Sequence, residues 1–461
     1  MLLRHWIPLG LLVFLSVFEA QATANLDTKI SAKVEAALKQ SGAPSVSVAV
    51  VEDGTLVFAK AFGSASIDPH RAADRQTRYA VGSVSKEFTA AALLMLQQQG
   101  KLSLDDKISK YYPDLTRANE VSIRQLLTHT AGYEDYAPQD YIIPAWTKPT
   151  TPQAILDTWA KRPLNFDPGT RWQYSNTNYV LAGEIFEKVS GIPLVAFLKQ
   201  TFFDPLGMAS AGDCSAASPD DARAYTRYGL GPARVVAREA NGWYFAAGEL
   251  CMTPSDLAKW DMALLEKRFL SPESYAQFTH EMRLANGDLT HYALGLQLGE
   301  LNNIPTVFHG GEVSGFLASN TLFPARNGAV TVLSNQDGIN LIGPLSRQIA
   351  TLLFVAESDV PSEKDAQKAK AILVGLQKGK IDRSLFTDNA NSYFTKTALA
   401  DLKSSLGKLG ALKSVKPGRE GLRGGMTYRS YRAEFAKQTV VLSTYVMPDG
   451  KIEQYLVEEQ L

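Results

Sequence analysis

Val81-Gly82-Ser83-Val84-Ser85-Lys86 opens a stretch that runs with scarcely a polar side chain through Ala90-Ala91-Ala92-Leu93-Leu94-Met95-Leu96 to Gln99, before Gly100. Alanine and leucine favour helix, and the lack of a polar face from Phe88 to Leu96 predicts a helix buried all round. Residues three apart share a helical face, so the Ser83 hydroxyl and the Lys86 amine are expected within hydrogen-bond reach. A first turn also presents unpaired backbone N–H groups. One turn can therefore supply an activated nucleophile and half of an oxyanion hole, with Ser83 N–H as donor.

Upstream, apolar residues at Ile30, Val34, Ala37 and Leu38 predict a helix over 25–40. Ser45 to Val51 and Leu56 to Phe62 flank Glu52-Asp53-Gly54 as a hairpin. Downstream, short helical pieces are expected at Leu104–Ile108 and Ser122–Leu127, then helices at 152–161, 179–189, 194–202 and after Thr253-Pro254-Ser255-Asp256, which carries cap, first-turn proline and acid. Strand character returns at His291–Leu298, Thr306–His309, Phe316–Phe323 and Ala329–Asn335, and Leu341–Val355 reads as a closing helix. Strands at both ends with helices between them predict an α+β unit: one antiparallel sheet flanked by helices, interrupted by a helical lobe. After polar, proline-containing 356–365, a linker, residues 366–461 predict a small α+β domain with helices at 366–376 and 397–406 and three strands.

With 461 residues and 47 basic against 47 acidic side chains, the chain exceeds one typical domain and has no net field to favour nucleic acid. Six scattered histidines and two cysteines show no metal-ligand spacing, so neither metal nor cofactor is expected. Residues 1–24 place Arg4 and His5 before an apolar run and small residues, the order of a signal peptide, which predicts a periplasmic or secreted protein that touches the membrane only if that segment stays uncleaved. Export would permit a Cys214–Cys251 disulfide, and two buried free thiols fit the sequence as well.

Ser-x-x-Lys alone is a weak signal, and Ser405-Leu406-Gly407-Lys408 is a second instance. What distinguishes Ser83 is its company: Tyr174-Ser175-Asn176, then His309-Gly310-Gly311. In this order the three motifs resemble the serine hydrolases related to class C β-lactamases and penicillin-binding proteins, with their esterase and D-amino-acid peptidase relatives. Leu126-Leu127-Thr128-His129-Thr130-Ala131-Gly132, Phe166-Asp167-Pro168-Gly169 and Ala247-Gly248-Glu249-Leu250 strengthen the likeness, which covers roughly residues 25–355. The resemblance implies a β-lactamase/transpeptidase-like fold, with Ser83 forming an acyl-enzyme, Lys86 and Tyr174 sharing the general-base role, and Asn176 orienting the lysine or the substrate. It further implies an oxyanion donor at the Glu312 N–H, past His309, Gly310 and Gly311. Which of Lys86 and Tyr174 is the base stays open.

The departure is His309, where β-lactamases of this kind carry a lysine. A histidine is largely neutral at pH 7 and anchors a substrate carboxylate weakly. Small ester, amide or peptide substrates are expected. A true β-lactamase or D-Ala-D-Ala carboxypeptidase is the first alternative, and a peptidoglycan-binding or sensory protein without turnover the second. Glu134, Asp135 and Asp140 lie in an aromatic loop, where one of them could meet a substrate amine, although solvated loop acids are commoner. Oligomeric state is not legible.

Overall fold

The computed structural model describes residues 9–139, 141–229, 231–354, 363–423 and 426–459. Its contacts divide the chain into two compact units, one reaching to Glu300 and including Pro305–Thr351, the other Leu301–Ile304 with Leu352–Leu461. The proposed linker lies outside the described residues as far as 362, and Glu363–Asp365 begin a helix.

The larger unit is built on a seven-stranded sheet in the order Arg71–Ala72, Thr55–Ser66, Ser45–Glu52, Gly328–Ser334, Phe316–Phe323, Ile304–Val313, Gln297–Leu301. Its first and last segments in sequence meet at the centre, where Val46 pairs with Ser334 and Val51 with Ala329 in antiparallel register. Both central strands are buried almost throughout, which explains why they read as continuous apolar runs. The expected hairpin turns at Asp53 and Gly54, both left-handed (φ 48° and 74°), as a primed two-residue turn requires.

Helix Pro254–Leu265 packs on the sheet, and the Thr253 hydroxyl caps it by accepting the Asp256 N–H at 3.2 Å. Trp260 on that helix stacks on Phe88 of the Ser85–Gln98 helix, ring centroids 4.4 Å apart. Beside this stack lies a wholly buried polar cluster. Trp260 Nε1 donates to Glu87 at 3.1 Å, Asn320 Nδ2 donates to Asp261 at 2.8 Å, and Thr331 Oγ1 donates to Asn320 Oδ1 at 3.0 Å. Burial drives the Glu87 carboxyl well above its usual range and pushes Asp261 up to about 7. From Phe88 to Leu96 the Ser85–Gln98 helix is buried except for half-buried Met95, and Gly100 (φ 68°) follows its end.

Some segments differ from expectation. Strand structure begins only at Gln297, because left-handed backbone at His291 and Gly295 turns 291–296 into a folded loop. Leu104–Ile108 is a turn held by the Asp106 carboxylate accepting the Ser103 N–H at 3.0 Å, and helical pitch starts only at Ile108. The 25–40 helix extends back to Leu9. Residues 1–8 of the signal segment lie outside the described residues, and no described helix is long and apolar enough to cross a membrane.

In the smaller unit, helices Glu363–Gln377 and Lys396–Lys408 accompany four strands rather than three. The additional one, Leu412–Arg423, is an edge strand with register shifts at Leu412/Ser414 and Pro417/Glu420. Proline and glycine mask such a strand in sequence and are tolerated at an edge. A short helix, Asp388–Tyr393, was also not expected.

Cys214 and Cys251 form a disulfide across 37 residues, joining the segments of the paired short strands Gly212–Asp213 and Leu250–Met252. Closing a loop of that length removes about 4 kcal/mol of unfolded-chain freedom in the chain-entropy description. Replacing both cysteines by serine is expected to lower the stability of the larger unit by up to roughly that amount, measured as the shift in its denaturant midpoint; an unchanged midpoint would refute this.

Candidate active site

Ser83 sits in a tight 3₁₀ turn, Gly82–Val84, that runs into the α-helix at Ser85. That pitch aligns positions three apart, and Lys86 Nζ lies 2.9 Å from Ser83 Oγ. The Lys86 side chain is fully buried, and its amine also donates to Asn176 Oδ1 at 2.8 Å and to the Ala247 carbonyl at 2.7 Å. Burial lowers its pKa to about 7, against a smaller opposing pull from Asp135. A neutral amine keeps two N–H donors for Asn176 and Ala247, leaving its lone pair for the serine proton.

The Tyr174 side chain stands beside Ser83 and Lys86, its ring centroid 4.9 Å from Lys86 Nζ. Burial holds this phenol well above its usual range, protonated at neutral pH, and the nearby Ser83 hydroxyl only partly offsets that. Asn176 begins the Asn176–Ser190 helix. Its side chain is fixed from behind by Asp135, which accepts the Asn176 N–H at 3.0 Å and Nδ2 at 3.2 Å. Asp135 is therefore a buried partner rather than a solvated loop acid; burial raises its own pKa. Glu134 pairs with Arg162 at 3.0 Å, and Asp140 lies outside the described residues.

The strand Ile304–Val313 forms the facing wall. Gly82 has φ 51°, and a methyl group there would lie 2.9 Å from the Glu312 amide nitrogen. One at Gly311 would collide with the Val81 carbonyl and lie 3.2 Å from Ser83 N. Gly311 thus permits close approach of the nucleophile turn, whereas Gly310 has room around it. Ser83, Tyr174, Asn176, His309, Gly310, Gly311 and Glu312 all line one cavity of about 770 Å³, and Lys86 lies behind its wall. The decoy serine Ser405 is exposed and turned back onto its own helix, donating to the Asp401 carbonyl at 2.8 Å. Among the described residues no cluster of three or more His, Cys, Asp or Glu is placed to hold a metal.

His309 is buried at the end of a relay that sequence reasoning missed. The Ser175 N–H donates to His129 Nδ1 at 3.2 Å, so His129 Nε2 carries the proton toward Tyr292 Oη at 3.2 Å. Tyr292 then donates to His309 Nε2 at 2.8 Å, which leaves His309 Nδ1–H to donate to the Gly310 carbonyl at 2.5 Å. Burial, reinforced by Lys86, pushes the His309 pKa down to about 3, so it is a neutral ring. His129 was visible in Thr128-His129-Thr130, but Tyr292 lies in the segment read as a strand, and the Ala247 carbonyl is a backbone group that no side-chain pattern reveals.

A family model described as Beta-lactamase matches residues 30–354. Penicillin-binding protein 4* of Bacillus subtilis (strain 168) is 27% identical over 382 residues, covering 76% of this chain and 81% of that protein. Among solved structures, the octameric penicillin-binding protein homologue from Pyrococcus abyssi superposes with a TM-score of 0.64 at 20% identity, covering 93% of this chain and 99% of that one. A D-stereospecific amidohydrolase from Streptomyces sp. gives 0.61 at 24% identity, over 70% of this chain and 98% of that one.

Two outcomes follow for the relay. The His309 ring is expected to stay neutral from pH 8 down to about 4 when followed by NMR, given its pKa of about 3; titration near 6.5 would contradict the buried arrangement. Tyr292→Phe leaves two buried imidazole nitrogens unpaired and should cost about 1–3 kcal/mol in denaturant unfolding.

Proposed function

The chain belongs to the β-lactamase family of serine hydrolases, and from that premise we propose that it is an exported hydrolase cleaving small esters or amides through an acyl-enzyme on Ser83. The observation that carries this reading is the Lys86 amine, with a pKa near neutrality, 2.9 Å from the Ser83 hydroxyl. As Ser83 Oγ attacks the substrate carbonyl carbon, its proton passes to Lys86 Nζ. The carbonyl oxygen takes the negative charge and is held by the N–H groups of Ser83 and Glu312. The bond to the leaving group then breaks, and Tyr174, protonated and beside Lys86, hands that group a proton that Lys86 replaces. Water attacks the ester on Ser83 by the same steps in reverse, and the acid departs. Lys86 is the base in this scheme because burial brings its pKa down while it drives that of Tyr174 up.

A neutral His309 offers no fixed charge to a substrate carboxylate, which supports simple esters and amides over β-lactams and D-Ala-D-Ala peptides. The similar Streptomyces amidohydrolase makes D-amino-acid amides a natural part of the substrate panel. The signal-like order of residues 1–24 and the Cys214–Cys251 bridge support export to an oxidising compartment.

Ser83→Ala is expected to reduce nitrophenyl-ester turnover by at least about 1,000-fold, and mass spectrometry of the wild type quenched in turnover should find the acyl group on the peptide containing Ser83. An adduct on another serine would refute the assignment. Nitrophenyl esters should be turned over faster than a chromogenic cephalosporin; the opposite order would favour a true β-lactamase. Below pH 7 Lys86 is protonated and cannot accept the serine proton, so kcat/KM should rise with pH and level off above an apparent pKa of about 7. The Asp135 charge favours the protonated lysine, so Asp135→Asn should move that limb to lower pH. A limb near 10 would mean that Lys86 is an ordinary cation.

A further inference from the structure

Tyr174 sits in a stretch, 171–175, that has no helix or strand to hold it. Proton transfer to a departing group needs the phenol well placed, since a shift of about 1 Å can slow a reaction roughly a hundredfold. A ring in an irregular segment lacks that definition of its own, so the restraint has to come from another part of the fold.

One residue meets this stretch on both sides of Tyr174. The His129 carbonyl accepts the Gln173 N–H at 3.0 Å, and His129 Nδ1 accepts the Ser175 N–H at 3.2 Å. The imidazole also lies against the Tyr174 ring, centroids 4.2 Å apart. His129 itself is wholly buried, with left-handed backbone (φ 58°), a conformation uncommon outside glycine. Its N–H is tied to the Leu126 carbonyl at 3.1 Å, in the last turn of the Ile123–Leu127 helix. Nδ1 can accept only while Nε2 carries the ring proton, and Tyr292 Oη, 3.2 Å from Nε2, favours that tautomer. Asn178 Nδ2 lies 3.4 Å from the same Nδ1. Burial lowers the proton affinity of the ring and so keeps Nδ1 an acceptor at neutral pH.

We propose that His129 is the positioning residue for Tyr174, a clamp of carbonyl, ring nitrogen and ring face that aims the phenol at the departing group, with Tyr292 holding the clamp in its working tautomer. His129 lies behind the cavity wall and touches no reacting atom. This rests on the reading of Tyr174 as the acid; the bonds made and broken are those of the acyl transfer above. A residue that only fills the core would slow every substrate alike when removed, whereas a misaimed acid slows the step that needs its proton.

The test compares a nitrophenyl ester with the ethyl ester of the same acid. Nitrophenolate departs as a stable anion and ethoxide does not, so the ratio of kcat/KM values, ethyl over nitrophenyl, reads the acid. Tyr174→Phe should lower this ratio by roughly a hundredfold. His129→Ala removes ring and nitrogen together and should lower it by about tenfold or more. Asparagine tolerates left-handed backbone and can place its amide oxygen near the Nδ1 position, so His129→Asn should recover part of the loss. Tyr292→Phe, a second route to the same clamp, should lower the ratio in the same direction. Each ratio is taken within one protein and does not depend on how much of it is folded. If Tyr174→Phe lowers the ratio while His129→Ala and Tyr292→Phe slow both esters alike, His129 is a packing residue and the clamp is overturned. If Tyr174→Phe leaves the ratio unmoved, the acid role of Tyr174 itself fails and the clamp has nothing to aim.

Discussion

A single primary amine, that of Lys86, is sealed from solvent against three oxygens, and the rest of the larger unit is arranged to keep it there. Each oxygen comes from a different part of the chain: Ser83 from the same turn, Asn176 from the start of a later helix, and Ala247 from a loop leading into the disulfide-bearing strand. Moving an ammonium into such a place is unfavourable, and the response is a lowered proton affinity. The desolvation that makes the fold harder to assemble around Lys86 is what suits the amine to accept a proton at neutral pH.

Two backbones must pass at contact distance for the nucleophile to face its oxyanion donors. The 82–84 turn and the 310–312 strand approach so closely that neither Gly82 nor Gly311 can carry a Cβ without displacing the other segment. The sheet supplies the fixed side of this contact. Its central register, Gly311 opposite Ala318 and Leu317 opposite Ser334, runs back to the first strand of the domain. The Ala246–Leu250 segment is anchored to the nucleophile helix along its length: Thr89 donates to the Ala246 carbonyl at 2.7 Å, Lys86 to Ala247, and the Leu250 N–H to Ser85 Oγ at 3.2 Å. The disulfide ties the far end of that segment to Cys214.

What sequence could disclose follows from this geometry. The buried helix at Ser83, the first hairpin and the late strands are written in local periodicity and turn chemistry, and they stand where those signals place them. Motif order drew Tyr174, Asn176 and His309 together because their spacing resembles a known family, not because distance in sequence predicts distance in space. Asp135 and Tyr292 were opaque for the same reason in reverse: each acts by packing against a distant residue, and in its own neighbourhood one looks like a solvated acid and the other like a strand tyrosine. The edge strand Leu412–Arg423 was hidden by the proline, glycine and lysine that suit an edge.

The buried acids near the nucleophile helix have a structural explanation that complements the chemistry of Lys86. Glu87, the residue after Lys86, points away from the cleft into the cluster with Asp261, Asn320 and Thr331. Burial raises the proton affinities of both carboxyls, and at Glu87 the Asp261 charge adds to the effect. In protonated form each can donate as well as accept, so Asn320 and Thr331, which face each other across neighbouring strands, join Trp260 and Glu87 in a network linking the sheet, the Pro254–Leu265 helix and the nucleophile helix. Apolar packing such as Phe88 on Trp260 would permit the helix to slide or turn by a fraction of a residue. Directional bonds at the residue beside Lys86 oppose that motion, and a displacement of that size would carry the amine out of reach of Ser83, Asn176 and Ala247 together.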